Sequence, residues 1–126
     1  MSKISVCIDV SEMDKAIQFY TKALGCELVK KDKEYSELIM DGLTIYLGEN
    51  AAGTNPLIDE HAIRNYERHW TPIHLDFTVS NLEQTISSIV ELGGVKEGEK
   101  RGDWGSIAFC ADPFGNGFCV MQTGAD

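Results

Sequence analysis

At 126 residues the chain has room for one domain, and 43% hydrophobic with 25% charged residues is the content of a core-forming globular sequence rather than a disordered or fibrous one. Eleven Lys and Arg against twenty Asp and Glu leave a net charge of −9 with no basic cluster, which argues against a nucleic-acid partner, because phosphates must be faced by cations. No apolar run reaches the ~18 residues of a membrane span. A strand pattern follows Met-Ser-Lys directly instead of a signal peptide, so a cytoplasmic protein without membrane contact is expected.

The chain opens with Ile4, Val6, Ile8 and Val10 in strict alternation, which predicts a strand over 4–10 buried on one face. Ser11 with Asp14 is spaced as a helix N-cap and its N3 acid, and Met13, Ile17, Tyr20 and Leu24 form an apolar helical stripe that Gly25 ends. Strand-like runs follow near 26–31, 34–40 and 43–48, with Asp41-Gly42 as a hairpin signal. Residues 49–71 read as a linker, in which Ile63, Tyr66 and Trp70 recur at three and four and predict a short helix.

The chain then repeats itself. Ile73, Leu75, Phe77 and Val79 match the first strand at an offset of 69. Ser80 with Glu83 repeats the cap, Leu82, Ile86, Ile89 and Val90 repeat the stripe, and Gly93-Gly94 repeats the stop. Strands are expected near 95–99, 104–111 and 117–122, with Asn116-Gly117 as the second hairpin. The predicted fold is α+β: two tandem βαβββ modules, 1–48 and 72–126, within one domain spanning 1–126. Each module would carry a helix on one face of a mixed sheet, leaving the other faces to cup a shared cleft.

Alternation assigns side chains to that cleft. With the Ile, Val, Leu and Phe face under the helix, Ser5, Cys7, Asp9, His74, Asp76 and Thr78 point inward, joined from the last strands by Thr44, Tyr46, Cys119 and Met121. Four cysteines (Cys7, Cys26, Cys110 and Cys119) without CxxC spacing are expected to be reduced and partly buried. Neither a GxSxG elbow nor a phosphate-binding glycine loop is present, and His61 and His69 read as surface residues.

Two segments carry a family resemblance. Asp14-Lys15-Ala16-Ile17-Gln18-Phe19-Tyr20 with Leu24-Gly25-Cys26, and Asp112-Pro113-Phe114-Gly115-Asn116-Gly117-Phe118 running on to Gln122, resemble the glyoxalase/bleomycin-resistance/dioxygenase group, the vicinal oxygen chelate superfamily. The resemblance implies a homodimer and, in the family's enzymes, a divalent metal held by His or Glu on the first and last strands of each module. The matching positions here are Ser5, about Thr44, His74 and Cys119, of which only His74 is a usual ligand of the family. A His74/Asp76/Cys119 set is conceivable. Because one imidazole does not hold a catalytic metal, no metal, cofactor or catalytic residue is assigned.

The expected function is capture of a small, cationic or aromatic molecule without a metal, similar to the bleomycin-resistance branch. Its contacts would be His74, Asp76, Trp104, Cys119, Ser5, Cys7, Tyr46 and Met121. The resemblance puts Trp104 at the pocket edge, where an indole can stack on a flat ligand. The alternative is a metal-dependent lyase, isomerase or thiol transferase using Zn, Ni, Mn or Fe, with Glu37 or Glu49 as further ligands. A scaffold without a small-molecule ligand is a third class.

Overall fold

The computed structural model describes residues 2–56 and 63–124, which fall into two compact units, Met1–Tyr66 and Glu67–Asp126. The first unit runs β1 (Ser5–Val10), α1 (Met13–Gln18), a π-helical turn (Phe19–Ala23), β2 (Glu27–Lys30), β3 (Tyr35–Met40) and β4 (Leu43–Glu49). Its sheet has the order β1-β4-β3-β2, with β1 parallel to β4 and the rest antiparallel. The second unit runs β5 (Leu75–Thr78), α2 (Leu82–Glu91), β6 (Val95–Gly102), β7 (Gly105–Ala111) and β8 (Gly117–Thr123). Its order is β5-β8-β7-β6, again with one parallel pair, β5 beside β8. The duplicated βαβββ plan read from the alternation is the observed one, and the class is α+β with two mixed sheets.

Each unit has its own apolar layer between helix and sheet. In the first, Val10, Leu38, Ile45 and Leu47 are buried with Met13, Ala16 and Ile17 of α1. In the second, Phe77, Ala108, Phe118 and Val120 are buried with Leu82 and Ile89 of α2, and the Phe77 and Phe118 rings meet edge to face at 5.7 Å. Fully burying a side chain of this size contributes about 1.5–3 kcal/mol, so these layers hold the units together. The opposite face is mixed, with His74, Asp76, Cys119, Phe109 and Met121 on that side of the second sheet.

The helix starts differ from expectation. The N-cap of α1 is Glu12, not Ser11, and that of α2 is Asn81, whose side chain accepts from the Gln84 N–H at 3.0 Å. The first helical N–H is taken instead by a side chain from the last strand of the same unit. Met13 N–H donates to Glu49 Oε2 and Leu82 N–H to Gln122 Oε1, both at 2.7 Å. The fold thus satisfies an orphan donor from the sheet, at equivalent places in both halves. Local spacing alone does not reveal such a contact.

Asp41 (φ 49) and Gly42 (φ 80) make the expected tight turn. Asn116-Gly117 does not, because Asp112 organises that connection. Its Oδ1 accepts from Phe114 N–H (2.8 Å) and Asn116 N–H (2.9 Å), while Oδ2 accepts from Asn116 Nδ2 (2.9 Å). Gly117 therefore opens β8 rather than turning.

The linker also departs from the reading. No helix occurs over 63–71, so the Ile63/Tyr66/Trp70 stripe is not a helical face. Tyr66 Oη donates to the Asn50 carbonyl (2.6 Å), and His69 forms a strand bridge to Asn116 with its N–H on the Gly115 carbonyl (3.0 Å). That bridge occupies the position that would extend the β5–β8 ladder to Ile73, which stands outside β5 and 84% exposed. His69 is exposed as expected, and His61 lies outside the described residues. No helix of the described residues is long and apolar enough to cross a membrane.

Candidate functional site

The parallel pairing of β5 with β8 sets Asp76 directly across from Cys119, and the antiparallel pairing of β7 with β8 sets Phe109 on Cys119's other side. Cross-strand partners share a face. Asp76, Cys119 and Phe109 are therefore one row on the face opposite α2, and His74, two residues before Asp76, shares their side. His74 Nε2 lies 3.1 Å from Asp76 Oδ1. The Cys119 thiol is hydrogen-bonded to the Asp76 carboxylate, and burial with that nearby negative charge pushes it up to about 11. It is a protonated donor at neutral pH, not a thiolate nucleophile.

One donor atom from each of His74, Asp76 and Cys119 falls within 4.8 Å of the other two, the one such group among the described residues. An imidazole, a carboxylate and a thiolate would suit a borderline-soft divalent ion, with three protein ligands and one position open. The donor set thus fits the metal that the family's enzymes carry, provided that Cys119 gives up its proton on binding.

Met121 is two residues further along the same face, paired with Thr78 and Ile107. Trp70 forms an aromatic wall beside the cluster. Its ring meets His74 edge-on at 5.3 Å and Phe109 at 6.4 Å, with the Arg68 guanidinium 4.6 Å over it. Arg68 is paired with Glu97. The bonds from Arg68 and the Trp70 indole N–H hold the Glu97 carboxyl below its usual range.

In the first unit, Ser5 pairs with Thr44 and Cys7 with Tyr46, so the four share the face opposite α1. Glu37 is in the Tyr46 row, whereas Glu49 is committed to the start of α1. Asp9, next along that face, is ion-paired to Arg64 (2.8 Å) and accepts from Asn50. All four cysteines are free thiols; Cys7 is exposed and the others buried.

Of the residues expected to meet a ligand, His74, Asp76, Cys119 and Met121 lie together on the second sheet, and Ser5, Cys7 and Tyr46 lie together on the first. Trp104 joins neither group. It sits in the β6–β7 turn, where its carbonyl accepts from Gly124 N–H, past the end of β8 and roughly 13 Å or more along the sheet from Cys119. The aromatic neighbour of the cluster is Trp70, which helical spacing had misdirected to a linker helix. A sequence signal for it does exist: Gly117 in a strand marks the close approach of another group.

The family pattern described as "Glyoxalase-like domain" matches residues 5–121. The chain belongs to the glyoxalase-like family. This places it in the vicinal oxygen chelate superfamily, as the two motifs imply. The glyoxalase-like chain is 27% identical over 109 residues to a probable lactoylglutathione lyase of Vibrio cholerae, covering 84% of this chain and 79% of that protein. Its fold is similar to that of the fosfomycin resistance protein FosX of Listeria monocytogenes, with a TM-score of 0.72, 16% identity, and 98% of this chain and 94% of that one covered. It is also similar to a glyoxalase/bleomycin resistance protein of Albidiferax ferrireducens, with a TM-score of 0.66, 18% identity, and 95% and 97% covered.

Proposed function

We propose that this glyoxalase-like domain captures a small cationic, aromatic molecule on the face formed by His74, Asp76 and Cys119, without a metal. The observation that carries this reading is the state of the cluster. Asp76 already faces the His74 imidazole at 3.1 Å and stands directly across from Cys119, so its carboxylate is the central charged group of the cluster. The Asp76 carboxylate supplies negative charge, and Trp70 and Phe109 supply aromatic surface for a flat cation. The positions matching the family's ligands in the first unit, Ser5 and Thr44, offer hydroxyls, which are weak ligands for a divalent ion. A net charge of −9 favours approach of cations.

A second reading is a metal-dependent lyase, favoured by the three convergent donors and by the naming of the Vibrio cholerae relative as a probable lactoylglutathione lyase. His74, Asp76 and Cys119 would hold the ion, which would act as a Lewis acid toward neighbouring substrate oxygens.

Two measurements separate the readings. The purified 126-residue chain is assayed for Zn, Ni, Mn and Fe per chain, and ethidium, a cationic aromatic probe, is titrated by fluorescence. The capture reading expects saturable one-to-one binding, weakened at least ten-fold in Asp76→Asn, with metal well below one per chain. A stoichiometric metal that is lost in His74→Ala would replace the capture reading with the lyase.

A further inference from the structure

We propose that Trp70 is a positioning residue of this site: it holds the His74 imidazole in place against Asp76 and forms the wall on which the flat face of the ligand rests. The inference rests on the proposed location of the site and adds the residue that orients it.

The placement begins with backbone. Asp112 folds the β7–β8 connection so that Gly115 takes a left-handed conformation (φ 85). A Cβ there would lie 2.4 Å from the Glu67 carbonyl oxygen, so only glycine lets residues 67 and 68 lie directly on the turn. The His69–Asn116 bridge and the His69 N–H bond to Gly115 pin the next residue. Trp70 is thereby delivered onto Gly117, where a Cβ would lie 2.8 Å from indole Cδ2 and 2.9 Å from Cε3. The side chain of any other residue at 117 would stand where the indole now sits.

The indole is then held on several sides. Its N–H bonds the Glu97 carboxyl, the Arg68 guanidinium stacks over it and returns to Glu97, and its ring meets Phe109. The remaining ring contact is with His74, perpendicular at 5.3 Å. His74 precedes β5 and has no ladder bond of its own to fix it, since the pairing begins at Leu75. Without the indole, the imidazole, already more than a third exposed, would be free to leave Asp76. Trp70 is itself 44% exposed, so its ring can also be touched by a ligand.

The test is a double-variant cycle on the full chain with ethidium as the probe, together with 13C relaxation of the His74 ring in the absence of any ligand. Trp70→Ala is expected to raise the ethidium Kd at least ten-fold, and Trp70→Phe to stay within three-fold of the parent because a phenyl ring restores the edge contact. In the Trp70→Ala/His74→Ala pair the two losses should fall short of additive, since part of the Trp70 effect passes through His74. Ring order at His74 should fall in Trp70→Ala and be retained in Trp70→Phe. Gly117→Ala, which displaces the indole without deleting it, should lower ring order in the same direction and serves if Trp70→Ala does not fold. An unchanged Kd in Trp70→Ala, additive losses in the pair, or an unchanged His74 ring overturns the assignment. If the parent chain fails to bind ethidium, the capture reading is what fails; the ring measurement then decides the role of Trp70 by itself.

Discussion

Replacing Asp112 with Ala should destabilise the second unit far more than a loop substitution ordinarily does. The carboxyl is 3% exposed and accepts from two backbone N–H groups and the Asn116 amide, at 2.8–2.9 Å. Deletion leaves Phe114 N–H and Asn116 N–H without these acceptors, and an orphaned buried donor costs about 1–3 kcal/mol. Water admitted to the shortened side chain recovers part of this, so a net loss of about 3 kcal/mol is expected. For a domain of this size that corresponds to a fall in Tm of roughly 10 °C. Urea unfolding followed by far-UV circular dichroism should show the midpoint falling with the slope unchanged. Asp112→Asn, which keeps one carbonyl acceptor, should lose about half as much. The turn also carries the His69 bridge, so in a Trp104→Phe background the emission of Trp70 should shift to the red in Asp112→Ala. A loss below about 1 kcal/mol would refute the claim that this side chain organises the β7–β8 connection.

Three further outcomes follow from the same geometry. Glu49→Ala and Gln122→Ala each remove the acceptor of a helix's first N–H and should each cost about 1 kcal/mol in urea unfolding; no change in either would make the sheet-to-helix contact incidental. Gly115→Ala should cost about 2 kcal/mol or more, because strain at positive φ adds to the Glu67 clash; a neutral effect would mean that the 67–69 segment does not need that close approach. Burial holds Cys26, Cys110 and Cys119 protonated up to about 11, about 12 and about 11. A proton bound more tightly in the folded chain stabilises it fully below the unfolded thiol value of 9.0, and this is lost as pH rises from there toward 11–12. Glu97 has the opposite sign, since its lowered value gives stability present above 4.5 and lost as pH falls below it. Urea midpoints across pH 3–11, repeated with Cys119→Ala and Glu97→Gln, should therefore decline at both ends. A parent profile that is flat above 9, or one unaltered by Cys119→Ala, would contradict the alkaline arm.

The His74/Asp76/Cys119 cluster was legible where strand register alone decides it. His74, Asp76 and Cys119 converge because period-two alternation places them on the polar face, and the half-to-half match aligns the strands that carry them. Trp70, not Trp104, lies beside the cluster for the reason that local patterns fail elsewhere in this chain. Spacing of three and four at Ile63, Tyr66 and Trp70 imitates a helix, whereas the true determinants of Trp70 are Gly115 and Gly117, some 45 residues further on. Ser11 and Ser80 likewise satisfy a capping pattern, but Glu49 and Gln122 come from the sheet and take the N–H groups instead.

The sequence by itself determined the duplicated βαβββ plan, the helix-facing apolar layers, the Asp41-Gly42 turn and the family, because each is written in residues close together or in a repeat that can be laid over itself. Only the tertiary structure decided what crosses that repeat. The strapping of residues 67–70 over the β7–β8 turn, the choice of indole beside His74 and the sheet-borne helix caps all depend on backbones meeting at glycines and on side chains reaching across 36 to 40 residues of chain. Such contacts leave no periodicity, since one atom-sized gap at the right place is enough to specify them.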